Sequence, residues 1–375
     1  MTTAAQSVLV FRALMLGDLL CATPALRALR HGLPGAHIAL LGLPWAAALC
    51  ARLSTVDEFI EFPGWPGLPE REPADVRTLL RFLSDMRERH FDLALQMHGS
   101  GAIVNPLLLS LGAHHAAGFA SGAHWPHTAG AADQADEADA ANFTEWPTQG
   151  TEVERLLKLT DHLGLPRQGE QLDFPLLPQD RAGADALCHS LGGRPLAGEP
   201  GRAFALVHAG SQLPSRRWPP ERFAAVADAL ADAGLAVALT GSVAEAGLTR
   251  AVAGAMRAPA LDLAGQTTLW TLGALVERAA LVVCNDTGIS HMAAALSTPS
   301  VVVSSGGDAP RWSPADGTRH RVFWHDLPCR PCSHAHCPIG HPCALAVGVA
   351  EVRDSALQMA ARLLPTEAAT AAETS

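Results

Sequence analysis

The sequence predicts an α/β protein of two domains with parallel sheets, and three observations support this prediction. The chain has 375 residues, which exceeds the length of one ordinary domain. Short apolar segments alternate with amphipathic helical patterns from one end to the other. A glycine or small polar turn follows nearly every apolar segment, at the position where open α/β sheets bind ligands.

The first half contains three predicted strands, which are SVLVF, HIALLGL and FDLALQMHG. Its predicted helices cover residues 14–32, 73–90 and 152–164. Residues 129–141 are rich in alanine and aspartate without a core pattern, which predicts a mobile surface loop. From about 175 to 203 the composition turns to proline, glycine and charge, as in a region between domains.

The second half repeats the alternation, with predicted strands AFALVHAG, LAVALTG, LVVC and SVVVSSGG. One of its helices, PPERFAAVADALADAG, starts with prolines and ends at Gly234, and its apolar stripe is Phe223, Val226, Ala227 and Leu230. We therefore predict an N-terminal domain over residues 1–178 and a C-terminal domain over 179–350. Residues 351–375 are predicted to form a terminal helix and a disordered tail.

Composition excludes several classes of protein. Hydrophobic residues make up 48% of the chain and charged residues 17%, which is typical of a globular protein and not of a disordered one. A net charge of −10 argues against nucleic-acid binding, which depends on a dense basic surface. No apolar run reaches the roughly 18 residues of a membrane span, and we expect neither a signal peptide nor a span, hence a cytoplasmic protein.

The predicted helix over 73–90 is amphipathic and carries Arg77, Arg81 and Arg89. The simpler interpretation is a solvated helix face. The alternative is contact with an anionic acceptor or with a membrane surface, which would place the protein peripherally at the inner face of the inner membrane.

The most informative segment is LVVCNDTGISHMAAAL, residues 281–296. A strand leads through Asp286, Thr287 and Gly288 directly into a helix, whose N-terminal N–H groups and dipole favour a phosphate. His291 lies early in that helix and could reach the same anion. The simpler alternative is that Asp286 only caps the helix and His291 is an interior histidine.

A second anion-binding candidate lies in HAGSQLPSRRWPPERF, residues 208–223. Ser211 follows a strand, and Arg216 and Arg217 precede a helix; arginine can bind a diphosphate with two hydrogen bonds. One of these arginines could instead pair with Glu221 or another carboxylate, and the sequence does not choose between them. Gly241 would allow close approach of a ligand. Glu245 could hold ribose hydroxyls or simply complement a helix dipole.

Asp18 follows the first strand, in a turn that lacks the G-x-G-x-x-G spacing of dinucleotide-binding loops. Two interpretations stay open. An ionised carboxylate facing the anion-binding turns across a cleft is a plausible general base for an attacking hydroxyl. Alternatively, Asp18 caps the helix that follows it.

Four segments resemble glycosyltransferase family 9, the ADP-heptose:lipopolysaccharide heptosyltransferases, and the resemblance spans roughly residues 8–350. The segments are MLGDLLCATPALRALR, HAGSQLPSRRWPPERFAAVADAL, DLAGQTTLWTLGALVERAALVVCNDTGISHMAAALSTPSVVV and RWSP. The resemblance implies a GT-B architecture, with two Rossmann-like domains whose parallel sheets face a cleft. It also implies inverting, metal-independent transfer of heptose from ADP-heptose to an inner-core lipopolysaccharide acceptor.

The resemblance assigns roles to individual residues. It makes Asp18 the base, and it places the donor diphosphate at Asp286, Thr287, Gly288 and His291, assisted by the basic residue at Arg216 or Arg217. The family often has lysine in that basic stretch. The alternative function is a transferase of the same fold that uses another nucleotide sugar or a protein hydroxyl acceptor.

The segment CRPCSHAHCPIGHPC crowds four cysteines together, which are Cys329, Cys332, Cys337 and Cys343. A C-x-x-C followed by further Cys and His residues is compatible with a structural zinc site. Only one C-x-x-C is present, however, so reduced thiols or disulfides are the favoured alternative. A cytoplasmic location weighs against permanent disulfides. In either case we expect no cofactor to be required for catalysis.

Overall fold

The structure, a computed structural model, describes residues 5–121, 141–190 and 203–362. Residues 129–140 of the predicted loop, 191–202 of the predicted interdomain region and the predicted tail lie outside these ranges. The chain divides into two compact units, Met1–Pro175 and Leu176–Ser375. The sequence-based boundary lies at 178.

The first unit contains a parallel sheet of six strands in the order β3-β2-β1-β4-β5-β6. Its strands are β1 (Ser7–Phe11), β2 (His37–Gly42), β3 (Glu58–Glu61), β4 (Leu93–Gln96), β5 (His115–Ala120) and β6 (Phe143–Glu145). Its described helices are α1 (Leu16–Gly32), α2 (Ala47–Cys50), α3 (Val76–Glu88), α4 (Val104–Ser110) and α5 (Glu152–His162). The strand order reverses between β1 and β4, which pair directly.

The second unit repeats this arrangement in the order β12-β11-β10-β7-β8-β9. Its strands are β7 (Phe204–His208), β8 (Ala236–Leu239), β9 (Leu261–Asp262), β10 (Leu281–Asn285), β11 (Ser300–Val303) and β12 (His320–Phe323). Its helices are α6 (Pro178–Ser190), α7 (Pro220–Asp232), α8 (Ala246–Ala255), α9 (Leu269–Arg278), α10 (Gly288–Ala295), α11 (Ala309–Trp312), α12 (Pro342–Ala346) and α13 (Val349–Ala361). The order reverses between β7 and β10, which also pair directly.

Local sequence explains where several elements begin. Thr151 and Glu154 exchange hydrogen bonds with each other's backbone N–H groups, which starts α5. Helix α7 begins at Pro220, and its predicted apolar stripe is fully buried in the core of the second unit. Every residue of β10 is buried, as a central parallel strand requires.

The structure adds detail to one sequence-based expectation and corrects another. The predicted region between domains contains helix α6, whose Asp180 side chain accepts the N–H of Leu177 and so stabilises the helix start despite the polar composition. The helix predicted over 73–90 begins only at Val76, because Asp75 caps it. Arg89 lies just after that helix and, although exposed, forms a salt bridge with Glu58, whereas Arg77 and Arg81 are exposed on the helix itself.

Candidate functional site

The site in the second unit lies at the carboxyl ends of β7 and β10, where the strand order reverses. Asn285, the fully buried last residue of β10, connects the two turns that follow these strands. Its Oδ1 accepts the backbone N–H of Trp218 at 2.9 Å, and its Nδ2 donates to the carbonyl of Ala209 at 2.7 Å. The predicted anion-binding turns therefore belong to one assembly, at the position where open α/β sheets bind ligands.

Helix α10 begins as predicted after β10, with Thr287 as its N-cap and Gly288 as its first residue. The Thr287 side chain accepts no capping hydrogen bond, so it does not satisfy the first N–H donors of the helix. His291 is buried, and its ring centroid lies 6.0 Å from that of Trp312. This helix start has the dipole and the donors that favour an anion.

Asp286 does not cap the helix, so the simpler alternative for this residue is wrong. Its Oδ2 accepts a hydrogen bond from the Ser304 hydroxyl at 3.0 Å. Burial raises the pKa of Asp286, although His291, the Ser304 hydrogen bond and the charges of Arg216 and Arg330 act in the opposite direction. The carboxyl group is thus surrounded by positive charge and by hydrogen-bond donors.

The structure distinguishes the two arginines of the first turn. Arg217 donates to the Ser211 carbonyl from Nε at 2.9 Å and from Nη2 at 2.7 Å, which fixes the turn. Among the contacts that the structure describes, the Arg217 guanidinium bonds to Ser211 and not to Glu221. The Nε of Arg216 is buried and has no hydrogen-bond partner. A buried donor without an acceptor is unfavourable, and an anionic ligand would supply the acceptor.

Glu245 lies beside this turn. Its Oε2 accepts the backbone N–H and the hydroxyl of Ser242, both at 2.9 Å. Burial raises the pKa of Glu245, but the hydrogen bonds from Ser242 and the positive charge of Arg217 act in the opposite direction, and the pKa is lowered, so the group is a carboxylate. A side chain at Gly210 would collide with that carboxylate.

Gly241, the predicted point of close ligand approach, faces the same glutamate. A Cβ at this position would lie 3.2 Å from the Cβ of Glu245 and 3.3 Å from the Cγ2 of Thr249. Of the two glycines, Gly210 therefore leaves less room for a side chain, and the sequence pattern did not single it out.

The cysteine-rich segment, residues 329–343, packs against this site. The Cys332 N–H donates to the Gly306 carbonyl at 2.8 Å, and the Ser215 N–H donates to the Ala335 carbonyl at 3.0 Å. His341 Nε2 donates to the Ser215 carbonyl at 2.7 Å. These contacts join the segment both to the turn that carries Arg216 and to the loop after β11.

The four cysteines of this segment are free thiols. Cys329 is exposed, whereas Cys343 is buried and burial raises the pKa of its thiol. Over residues 5–121, 141–190 and 203–362, no three His, Cys, Asp or Glu side chains form a group that could hold a metal ion. Both the structural zinc site and the alternative of reduced thiols or disulfides stay sequence-based predictions.

Arg330 was not among the site residues predicted from sequence, because it lies inside the cysteine motif, far along the chain from the other site residues. Its Nη2 donates to the Gly307 carbonyl at 2.8 Å, and its Nη1 donates to the His325 carbonyl at 2.9 Å. Ser304 and Asn285 were also missed. The sequence signal for Ser304 and Asn285 was their place at or just after the end of a strand, which is too general to select them.

In the first unit, Asp18 occupies the third position of α1. Its Oδ2 accepts the backbone N–H of Met15 at 3.2 Å, so the capping interpretation is correct as geometry. The side chain is only partly buried. A carboxylate that caps a helix is held in one orientation, which is compatible with a second role as a base.

None of the described helices is long and apolar enough to cross a membrane.

Comparison with known sequences identifies relatives over most of the chain. The sequence profile of glycosyltransferase family 9 (heptosyltransferase) matches residues 79–342. Lipopolysaccharide heptosyltransferase 2 of Escherichia coli strain K12 is 27% identical over 337 residues, covering 85% of this chain and 88% of the relative.

Solved structures show the same fold. A glycosyl transferase of family 9 from Veillonella parvula superposes with a TM-score of 0.70 at 19% identity, covering 86% of this chain and 87% of that one. ADP-heptose lipopolysaccharide heptosyltransferase II of E. coli superposes with a TM-score of 0.67 at 20% identity, covering 95% and 99%. The predicted GT-B architecture, with two α/β units built on parallel sheets, is confirmed.

Proposed function

The chain belongs to glycosyltransferase family 9, the heptosyltransferases, and from this membership we propose that it transfers heptose from ADP-heptose to an inner-core lipopolysaccharide acceptor. That it is a glycosyltransferase follows from the family. The sugar and the lipopolysaccharide acceptor are proposed from the name of the relative that matches 85% of this chain. The ADP-heptose donor is proposed from the name of the solved heptosyltransferase II of E. coli, and the inner-core position from the family resemblance. The observation that carries the proposal is the buried, unpartnered Nε of Arg216 at the start of an anion-binding assembly.

The proposed reaction is a single displacement with inversion. The acceptor hydroxyl oxygen forms a bond to the anomeric carbon of heptose, and its proton passes to the Asp18 carboxylate. The bond between that carbon and the phosphate oxygen breaks, and ADP leaves with the electron pair. No metal is needed, because Arg216 and the N-terminus of α10 neutralise the charge that develops on the diphosphate.

The donor fits the groups of the second unit. The diphosphate would accept from Arg216 Nε and from the N–H groups of Gly288 and its successors, with Thr287 and His291 beside it. The Glu245 carboxylate, ionised and fixed by Ser242, is suited to accept hydrogen bonds from the ribose hydroxyls.

The test is the intact mass of a heptose-free lipopolysaccharide core after incubation with the purified protein and ADP-heptose. We expect a gain of one heptose that persists with a chelator. The Asp18→Asn variant, which still can accept the Met15 N–H, should be slower by roughly 10²- to 10⁴-fold. No gain with tightly bound ADP would contradict the acceptor or the sugar, and an unimpaired Asn variant would contradict the base.

We further propose that helix α3 contacts the anionic surface of the membrane. Val76 and Leu80, one helical turn apart, are 73% and 63% exposed. Arg77 and Arg81 lie beside them on the helix and are also exposed. Apolar and basic side chains on one helix face favour binding at the interface of an anionic bilayer.

Co-sedimentation with vesicles tests this contact. We expect binding to vesicles that contain phosphatidylglycerol and not to vesicles of phosphatidylcholine alone. Arg77→Gln/Arg81→Gln should weaken binding, whereas Arg250→Gln/Arg321→Gln, which removes the same charge from exposed residues of the second unit, should not. Equal loss in both variants would indicate a response to net charge alone and would contradict a site on α3.

A further inference from the structure

Arg12 is a fully buried cation at the point where the strand order of the first sheet reverses. It follows β1 directly, and its side chain is 0% exposed. Its Nη2 lies 2.9 Å from Oε1 of Glu152, which is 1% exposed and stands in the first turn of α5. Moving two charges out of water is so unfavourable that such a pair often adds little net stability. A buried pair at this place therefore suggests a geometric role.

The other nitrogens of Arg12 hold the backbone around Asp18. Nε donates to the main-chain carbonyl of Asp18 at 2.8 Å. Nη1 donates to the carbonyl of Met97, just after β4. Each nitrogen of the planar guanidinium thus bonds to a different acceptor. Only arginine can bond to all three acceptors at once. The start of α1 is joined through one side chain to the ends of β1 and β4 and to α5.

Asp18 is consequently held from two directions. Its carboxylate accepts the Met15 N–H, and its carbonyl accepts from Arg12. We propose that Arg12, oriented by Glu152, is a positioning residue that fixes the backbone of Asp18 for proton transfer. This inference rests on the proposed role of Asp18 as the base. A misplacement of a reacting group by about 1 Å can lower a rate by roughly 100-fold, so the expected effect is on kcat.

Charge-pair variants separate positioning from stability. Arg12→Met alone leaves the Glu152 charge buried without its partner and should unfold or strongly destabilise the protein. Arg12→Met/Glu152→Leu removes both charges and should regain most of the lost stability. We expect this double variant to have a kcat lowered by about 100-fold with an unchanged KM for ADP-heptose. A double variant with normal kcat would overturn the inference.

Arg12→Lys keeps the inference testable if the double variant does not fold. Lysine retains a charge for Glu152 but has a single nitrogen, so it cannot also hold the carbonyls of Asp18 and Met97. We expect kcat to fall by at least 10-fold at a melting temperature close to that of the unmodified protein. A Lys variant that folds and turns over normally would contradict a positioning role.

A matched control and a mutant cycle complete the test. Arg27 and Asp173 form a salt bridge of 2.8 Å in the same unit, and Arg27 lies on α1, the helix that carries Asp18. Arg27→Met/Asp173→Leu should leave kcat unchanged. If Arg12 acts through Asp18, adding Arg12→Lys to Asp18→Asn should lower kcat no further. Normal activity of Asp18→Asn would instead refute the proposed base, so the two failures are distinguishable.

Discussion

Arg216 and Arg217 are neighbours in the chain, but their guanidinium groups differ in hydrogen bonding and therefore in role. Arg217 is committed to the Ser211 carbonyl, whereas the Nε of Arg216 is buried without an acceptor. Hydrogen bonds to charged groups contribute about 1.5–3 kcal/mol, because the interaction is assisted by charge. Arg216 is therefore the better candidate for the diphosphate, a choice that the sequence left open.

We predict that Arg216→Gln weakens ADP-heptose binding by roughly 30-fold, which corresponds to about 2 kcal/mol. Arg217→Gln should weaken it less, since it acts only through the shape of the turn. Isothermal titration of each variant with ADP gives the comparison. A larger loss for Arg217→Gln would reverse the assignment.

Ionisation of the buried Asp286 carboxyl should lower the stability of the folded protein as pH rises. Its pKa is raised above the ordinary value of 3.8, chiefly by burial, so the folded protein favours the neutral acid. The associated stability is fully present below the ordinary pKa and is lost as pH rises through the raised value. We predict that Asp286→Asn melts at a higher temperature than the unmodified protein near neutral pH, and that the difference shrinks toward about pH 4.

Thermal unfolding without donor, followed across this pH range, measures the effect. Asp316 is the control, because hydrogen bonds from Thr318 lower its pKa. Asp316→Asn should lower the melting temperature near neutral pH, and its effect should fade as pH falls. A difference for Asp286→Asn that stays constant with pH would rule out titration of this group as its cause.

Sequence alone found the residues whose motifs are local. Asp286, Thr287, Gly288 and His291 lie within one strand-to-helix junction, and the structure has that junction. Contacts between distant segments were not accessible in the same way. The Arg12–Glu152 pair joins residues 140 positions apart, and nothing in either segment indicates the other.

Among the elements, the short helical turn Val243–Glu245 fixes the carboxylate that faces Gly210. Ser242 donates to that carboxylate from its N–H and from its hydroxyl, so Glu245 cannot move away freely. A Cβ at Gly210 would occupy the space of the Glu245 carboxylate. Any larger residue at position 210 would therefore displace either the Glu245 carboxylate or the turn after β7.

We predict that Gly210→Ala weakens ADP binding by about 10-fold or more, because either the turn or Glu245 must shift. Gly247→Ala in helix α8 is the matched control, since a Cβ added there would meet no neighbouring atom within 4 Å. That control should bind ADP normally and gain about 0.5–1 kcal/mol of stability. Equal ADP affinity in both variants would show that the contact is not needed for binding.

Predicting elements from sequence succeeded where a pattern was long or strongly apolar. The buried strands β1, β2, β7, β10 and β11 were all predicted. The missed strands include β9, which has two residues, and β6, which has three, too few for a period to show. Strand β3 was missed because EFIE is only partly buried and carries two glutamates.

At the level of the whole protein, each unit has its own hydrophobic core. The core of the first unit contains Leu9, Phe11 and Phe62. The core of the second unit contains Trp218, Phe223 and Val283. The division into two α/β units followed from length and alternation in the sequence. The point at which the strand order of each sheet reverses came only from the structure, and open α/β sheets generally bind ligands at such a point.

We predict that ADP at about 100 times its Kd stabilises the folded protein by about 2.7 kcal/mol, because it binds the native state and not the unfolded chain. Calorimetric melting with and without ADP measures the shift. Arg216→Gln, tested at the same ADP concentration, should show a much smaller shift. An undiminished shift would mean that ADP binds elsewhere.

The amide of Asn285 has a further consequence. It fastens the turn after β7 and the end of β10 to each other before any donor arrives, so these backbone groups have little freedom left to lose. Nucleotide capture should then be fast and accompanied by a modest entropic penalty. If the Asn285 amide were removed, the turn after β7 and the end of β10 would become ordered only when the nucleotide binds.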